Sequence, residues 1–251
     1  MKILGCDYDG TLNYGGIDEV KIAAIEKWRK QGNKIGVVSG RGLDMLSVIQ
    51  NQYGLTLDFF VAFNGAIIYN ANEDSVYKSA CVEVNPSDLA KDLFAFGCPF
   101  AHVNSDRYYL VRKSKEDRKD GEYTLDMVTF VPLIYQVSVE LPTEAEAGKI
   151  VPLIASKYGE FLTPLQNGRC IDIVPKGVGK AHGMGKIQQQ FGAEWKDVIV
   201  VGDNLNDADM LQAFTSYAME NGVEKIKKIA TYTTKSVTDL ILRELKNIEN
   251  N

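Results

Sequence analysis

Two acidic pairs stand far apart in the chain: Asp7 and Asp9 in Asp7-Tyr8-Asp9-Gly10-Thr11, and Asp203 and Asp207 in Gly202-Asp203-Asn204-Leu205-Asn206-Asp207. If an extended strand continued through the first motif, Asp7 and Asp9 would lie two apart on one face. One carboxylate could then attack while the other reaches the leaving atom, as nucleophile and general acid. Pushing a carboxylate against a phosphate dianion is electrostatically uphill, so such chemistry needs a divalent cation, and carboxylate oxygens are the hard ligands that magnesium prefers. Without a cation the same acids would repel one another.

Two further residue types suit phosphoryl transfer. Ser39 follows the apolar run at residues 35–38 and precedes Gly40, where its hydroxyl and its backbone amide could both bond a phosphoryl oxygen; the plainer alternative is a cap for the helix beginning near Leu43. Lys180 opens a helical stretch after Pro175-Lys176-Gly177-Val178-Gly179, and its ammonium could neutralise both nucleophile and phosphate. Lysines are ordinarily solvated, and Lys176 is a rival for the part.

These groups need a scaffold that gathers them. Apolar runs at 3–6, 35–38 and 198–201 end at Asp7, at Ser39 and at Gly202-Asp203. An acid after one strand is ordinarily a cap or turn former. Three such ends together mean more, because an open parallel sheet collects its strands' carboxyl ends at one rim, where ligands bind. Helical spacing at 18–31, from 43 to Gly54, at 180–191, 207–214 and 237–248 alternates with these runs and with another at 59–63. That alternation predicts an α/β fold with a doubly wound parallel sheet. From about 77 to 175 the rhythm changes: alternating 81–84, a helix at 86–96, strands at 102–112, 135–141 and 170–174, and a helix at 145–158. This reads as an inserted α+β domain with a half-exposed antiparallel sheet. The charged stretch 113–121 reads as a mobile loop or tip. Residues 1–81 and 177–251 are assigned to the catalytic core and 82–176 to the inserted domain.

Composition sets limits. The 251 residues carry 28 Lys and Arg against 33 Asp and Glu, a net charge of −5, and 45% are hydrophobic. That is globular composition with enough chain for one or two domains, and it excludes disorder. An acidic balance argues against nucleic acid as partner. Cys6, Cys81, Cys98 and Cys170 lack zinc-site spacing and read as thiols in a reducing compartment. Early acids exclude a signal peptide, and no apolar run is long enough to span a membrane. A cytoplasmic protein with no membrane partner is expected, acting as a monomer or homodimer.

Asp7-Tyr8-Asp9-Gly10-Thr11, Val38-Ser39-Gly40-Arg41, Lys180 and Gly202-Asp203-Asn204-Leu205-Asn206-Asp207 resemble, in order, the four motifs of the haloacid dehalogenase-like (HAD) superfamily. Asn64-Gly65-Ala66, the insert between the second and third motifs, and Asp207-Ala208-Asp209-Met210-Leu211 resemble the Cof-type phosphatases with a type IIB cap. The resemblance spans essentially the whole chain. It implies a HAD-like Rossmannoid core and an inserted cap, and a Mg2+-dependent phosphatase of a small phosphorylated metabolite, a sugar phosphate or phosphorylated cofactor. Asp7 would be the nucleophile that forms an aspartyl-phosphate; Asp9 would protonate the leaving group and then activate water. Asp7, the backbone carbonyl of Asp9, and Asp203 would bind Mg2+, while Asp207 would support the metal through water or hold Lys180. Ser39 and Lys180 would bind the phosphoryl group, with Gly10, Thr11, Gly40, Arg41 and Asn206 around phosphate or substrate. The chain departs from the pattern at Ala181, where Gly is common, and at Tyr8, where Leu is common.

Cap contacts are weakly marked. His102, Asp106, Arg107 and Arg169 are candidates better read as solvated surface. His182 reads as structural or exposed, and Phe94, Phe96, Phe100, Tyr108 and Tyr109 as the insert's own core. A phosphomutase of the phosphomannomutase kind would use the same acids but return the phosphoryl group to an alcohol. A receiver-type signalling domain has no use for Asp9 or for the insert, and a silent binding module would not need every reactive group.

Overall fold

The computed structural model describes residues 1–249. In chain order the elements are β1 (Ile3–Asp7), α1 (Glu19–Lys30), β2 (Lys34–Val38), α2 (Leu43–Tyr53), β3 (Phe59–Ala62), β4 (Ile67–Asn70) and β5 (Ser75–Lys78). There follow α3 (Pro86–Ala95), β6 (Phe100–Asn104), β7 (Tyr108–Arg112), β8 (Tyr123–Thr124), β9 (Gln136–Glu140), α4 (Glu144–Tyr158), β10 (Leu162–Asn167) and β11 (Cys170–Pro175). The chain closes with α5 (Lys180–Gln190), β12 (Val198–Gly202), α6 (Ala208–Ala213), β13 (Thr215–Met219), α7 (Glu224–Ile229), β14 (Tyr232–Thr234) and α8 (Val237–Glu249).

Two compact units result, one of Met1–Tyr77 with the described residues from 179 onward and the other of Lys78–Val178. These limits differ by a few residues from 81/82 and 176/177. Cys81 forms a bridge with Ile134, which ties the start of the insert to the second unit.

The first unit holds an eight-stranded sheet in the order β14-β13-β12-β1-β2-β3-β4-β5. Its strands from β14 through β3 pair in parallel, and β4 runs antiparallel to β3. Buried on both faces, β1 and β12 read as continuous apolar runs, as a covered parallel sheet requires. The doubly wound α/β expectation therefore holds, and β12, β1 and β2, whose ends carry the candidate residues, are immediate neighbours. Trp28, Phe59, Phe60 and Tyr217 are fully buried. Each such side chain contributes about 2–3 kcal/mol through burial.

Close packing also fixes where α5 begins. At Gly65 φ is +103°, and a Cβ there would lie 2.2 Å from the Gly179 carbonyl. Only glycine lets the start of α5 come this near.

The second unit is a six-stranded sheet, β10-β11-β9-β6-β7-β8, antiparallel except for the β7–β8 pair. Its apolar side, including Val103, Val111, Val137, Val139, Ile171 and Ile173, forms one core with Leu89, Leu93, Ile150 and Ile154 of the helices. Residues 102–112 form two strands rather than one. The turn Ser105-Asp106-Arg107 splits them, with the Ser105 amide donating to the Arg107 carbonyl at 2.9 Å. Phe94 and Tyr109 lie in this core and Phe96 packs on it, but Tyr108 points to the other face and is 54% exposed, so the aromatic pair is divided by strand alternation. Among the described residues no helix is long and apolar enough to cross a membrane.

Candidate active site

At the carboxyl ends of β1 and β12 the chain leaves the sheet in two turns that place carboxyl groups side by side. Asp7 is the last residue of β1, and Asp203 follows β12, with Asp207 on the short turn Leu205–Asp207. Carboxylate oxygens of Asp7, Asp203 and Asp207 lie within 4.8 Å of one another. Lys180, fully buried at the first position of α5, donates to Asp7 Oδ1 at 2.6 Å and also to Asp207 Oδ1. Burial would strip the ammonium of its proton, but Asp207 and Asp7 outweigh it and hold the lysine charged. Lys176 is exposed, so the two lysines are separated by burial.

Charge in this cluster is unbalanced. Burial pushes Asp7 well above the usual carboxylate range; Lys180 opposes the shift, while Asp207 and Asp203 add to it. Asp203 is raised for the same leading reason, against a hydrogen bond from Thr11. Three carboxyls share one ammonium. An all-oxygen set of this kind fits a small hard dication, which would supply the missing positive charge. Asp7, Asp203 and Asp207 are the side chains able to hold it.

The turn regions are tied to one another. Thr11 Oγ1 donates to Asp203 Oδ1 at 2.8 Å, so the threonine orients a carboxylate. At Gly10 φ is +81°, and a Cβ would meet Asp203 Oδ2 at 2.5 Å, so a side chain there would strain the backbone and push the Asp203 carboxylate aside. Asp207 Oδ2 accepts from the amides of Asp203 at 2.9 Å and Asn204 at 3.0 Å. Asn206 is buried in the same turn.

Two expectations need correction. The strand does not continue through the first motif: β1 ends at Asp7, and Tyr8–Leu12 forms a tight turn. Asp9 therefore does not share Asp7's face by strand alternation; its half-exposed carboxylate is held by Arg41, Nε to Oδ2 at 2.6 Å and Nη2 to Oδ1 at 2.7 Å. The Ser39 amide is already committed to the Val61 carbonyl at 2.8 Å, because the chain keeps pairing one residue past β2. Its hydroxyl oxygen accepts from the Arg41 amide at 3.2 Å and keeps its own proton to donate. Arg41 has its guanidinium on Asp9 and over the Tyr8 ring, 5.2 Å from the centroid. Gly40 sits between these two residues at the end of β2.

Other residues serve the site without having been assigned a role in it from the sequence. Asp209 Oδ2 accepts from the Ala181 amide at 3.0 Å, and its Oδ1 from Met210 at 2.7 Å, anchoring the first turn of α5 that carries Lys180. Its place two residues after Asp207 was the available signal. Asn221 Nδ2 donates to the Gly10 carbonyl at 3.0 Å. It follows β13, whose mixed Thr-Ser-Tyr-Ala-Met composition hides a strand. Lys21 is buried and gives its ammonium to the carbonyls of Leu12, Tyr14 and Gly16, fixing the chain after the first motif.

In the second unit, His102 is half-buried between Phe100 and Tyr108, its Nδ1 against the Tyr108 hydroxyl, and burial lowers its pKa. Asp106 accepts from the Tyr109 hydroxyl at 3.4 Å; Arg107 is exposed, and Arg169 pairs with Glu140. On the first unit, His182 is half-buried with its ring 6.3 Å from that of Tyr77.

Comparison with known proteins agrees with this geometry. The haloacid dehalogenase-like hydrolase family matches residues 4–240. The 5-amino-6-(5-phospho-D-ribitylamino)uracil phosphatase YbjI of Escherichia coli is 24% identical, the match covering 98% of this chain and 97% of that protein. A phosphatase of the same description from Bacillus subtilis, YitU, is 26% identical over 92% of this chain and 91% of its own. Among solved structures, the HAD subclass IIB sugar phosphatase BT4131 has a TM-score of 0.78 at 23% identity, covering 97% of this chain and 98% of that one.

Proposed function

The chain belongs to the haloacid dehalogenase-like hydrolases, and from that premise we propose that it is a Mg2+-dependent phosphatase that cleaves a small phosphorylated metabolite through an aspartyl-phosphate. One arrangement carries the reading: Asp7, Asp203 and Asp207 within 4.8 Å of one another, with the buried ammonium of Lys180 bonded to Asp7 and Asp207.

In this mechanism an Asp7 carboxylate oxygen attacks phosphorus, the bond from phosphorus to the ester oxygen breaks, and that oxygen leaves with its electron pair and takes a proton from Asp9. Asp9 then removes a proton from water as the water oxygen bonds to phosphorus. The bond from phosphorus to Asp7 breaks, and inorganic phosphate and the free carboxylate result. Lys180 orients Asp7 and offsets its charge, and the Ser39 hydroxyl donates to a phosphoryl oxygen. Thr11 and Gly10 set the position of Asp203, while Asn206 lines the edge of the phosphate site. When bound, Mg2+ supplies charge neutralisation for phosphate and nucleophile, held by Asp7, Asp203, the Asp9 carbonyl and, directly or through water, Asp207.

The second unit takes the part of a cap that selects the substrate. Four free cysteines support a reducing, cytoplasmic setting. The test is phosphate release across a panel of sugar phosphates, phosphorylated ribitylaminouracil, phosphoglycolate and phosphorylated cofactors, with Mg2+ or with chelator. Metal-dependent release of inorganic phosphate supports the reading; phosphoryl movement to another hydroxyl without release would make the protein a mutase instead.

A further inference from the structure

We infer that Arg41 positions Asp9 for proton transfer and that the ring of Tyr8 holds Arg41 in place to do so; this rests on the phosphatase reading. Two parallel bonds, at 2.6 and 2.7 Å, run from two guanidinium nitrogens to both oxygens of Asp9. A bidentate fork fixes the plane of the carboxylate as well as its location. Stability does not account for the pair, since its side chains are 38% and 53% exposed, and ion pairs in water contribute little. What sets it apart is that the arginine is held at both its root and its tip.

At its root, the Arg41 amide donates to Ser39 Oγ at 3.2 Å and its carbonyl accepts from the Phe63 amide at 2.9 Å. At its tip, the guanidinium lies 5.2 Å from the centroid of the Tyr8 ring, and Tyr8 is itself only 6% exposed. An aromatic face attracts a cation where an aliphatic side chain at the same position would offer only contact. Asp9, by contrast, sits on a turn beside Gly10 with its side chain 53% exposed, and its two carboxylate oxygens are oriented by the Arg41 fork. The chain thus places a planar cation, held at root and tip, on the proton-transfer group, which spares the entropy of orienting it at each turnover.

The rival is that Arg41 binds the phosphoryl group directly. The two differ in how the loss depends on the leaving group. An alkyl phosphate expels a poor leaving group and needs a positioned acid, whereas p-nitrophenyl phosphate expels a stable phenolate and does not; the phosphoryl group is the same in both. The experiment measures kcat/KM on both esters in Mg2+, for wild type, Arg41→Gln, Tyr8→Leu and Tyr8→Phe, with Asp9→Asn as reference. The alkyl substrate is the best sugar phosphate found in the panel. General acid catalysis contributes about 10²–10⁴-fold, so Arg41→Gln is expected to lose about 10²-fold on the alkyl ester and less than about tenfold on the aryl ester, the same sense of selectivity as Asp9→Asn. Tyr8→Leu is expected to show a smaller loss, again larger on the alkyl ester, of about twofold to fivefold as a cation–π contact of about 0.5–1 kcal/mol implies, and Tyr8→Phe, which keeps the ring, to restore wild-type selectivity. Equal losses on both esters would overturn the inference and return Arg41 to the phosphoryl group; no loss would make the pair a surface contact. A wild type that releases phosphate from neither ester would remove the phosphatase reading and this inference with it.

Discussion

Two buried carboxyl sites lie on opposite edges of the same parallel sheet, and they differ in how their charge is met. At the amino edge, Asp58 precedes β3 and is 1% exposed. Arg29 donates to it at 3.0 and 3.2 Å, the Ile35 amide at 3.1 Å, and Lys34 stands at 3.4 Å. Burial pushes its carboxyl up, but these donors outweigh burial and hold it below the usual range. At the carboxyl edge, burial wins: Asp7 and Asp203 are raised, and three carboxyls share the single ammonium of Lys180. One acid has more cationic partners than it needs, the other group has fewer. A satisfied pair holds structure; a deficit of positive charge is a place for a cation and for chemistry.

Exchanging an acid for its amide separates the two edges most sharply. Asp7→Asn is expected to abolish turnover, by about 10⁴-fold or more as for removal of other covalent nucleophiles. Its melting temperature should hold or rise, because a buried carboxyl with raised pKa is relieved of charge. Near-wild-type phosphate release from this variant would break the comparison.

Cation binding is the next largest effect. A ligand at one hundred times its dissociation constant stabilises the fold by about 2.7 kcal/mol. Mg2+ should therefore raise the melting temperature of the wild type by several degrees, and Asp203→Asn should lose most of that shift. An Mg2+ response unchanged in Asp203→Asn would move the cation elsewhere.

At the satisfied edge the effect falls on stability. Asp58→Asn leaves Arg29 and Lys34 without their carboxylate and is expected to cost about 2 kcal/mol, or about 4–8 °C in melting temperature for a chain of this size, with kcat unchanged. The sign with pH follows from the lowered pKa. The contribution of Asp58 is fully present above the unfolded value near 3.9 and is lost as pH falls through the lower folded value. Melting curves of wild type and Asp58→Asn should thus converge only below about pH 4, and convergence near neutrality would contradict the assignment.

The smallest change expected is at the support of Lys180. Asp209→Ala leaves the Ala181 amide without its 3.0 Å acceptor. It should cost about 1 kcal/mol and slow turnover by less than about tenfold, since each tenfold in rate needs about 1.4 kcal/mol of transition-state stabilisation. Paired melting and rate measurements check both.

Much of this contrast was legible in residues. Apolar runs ending in Asp7, Ser39 and Asp203 revealed the core, since strands buried on both faces admit little else, and β12, β1 and β2 are indeed neighbours. Harder to read were β13 and β14, whose Ser, Thr and Tyr residues break the apolar signal, and the turn at Ser105 that divides one apparent strand into two. Within the site, residue type indicated Lys180 and the acids, but spacing misplaced Asp9. The chain turns at Tyr8, and where a side chain points after a turn depends on tertiary partners such as Arg41. The satisfied cluster at Asp58 was invisible for the same reason: Arg29, Lys34 and Asp58 meet only once α1, β2 and β3 are packed.

The most direct test compares phosphate release from the best panel substrate by wild type, Asp7→Asn and Asp58→Asn, each in Mg2+ and in chelator. Release that requires Mg2+, persists in Asp58→Asn below its lowered melting temperature and vanishes in a folded Asp7→Asn is the expected result. Release that survives in Asp7→Asn, or that ignores the chelator, would contradict a phosphoryl-transfer site at the carboxyl edge of the sheet.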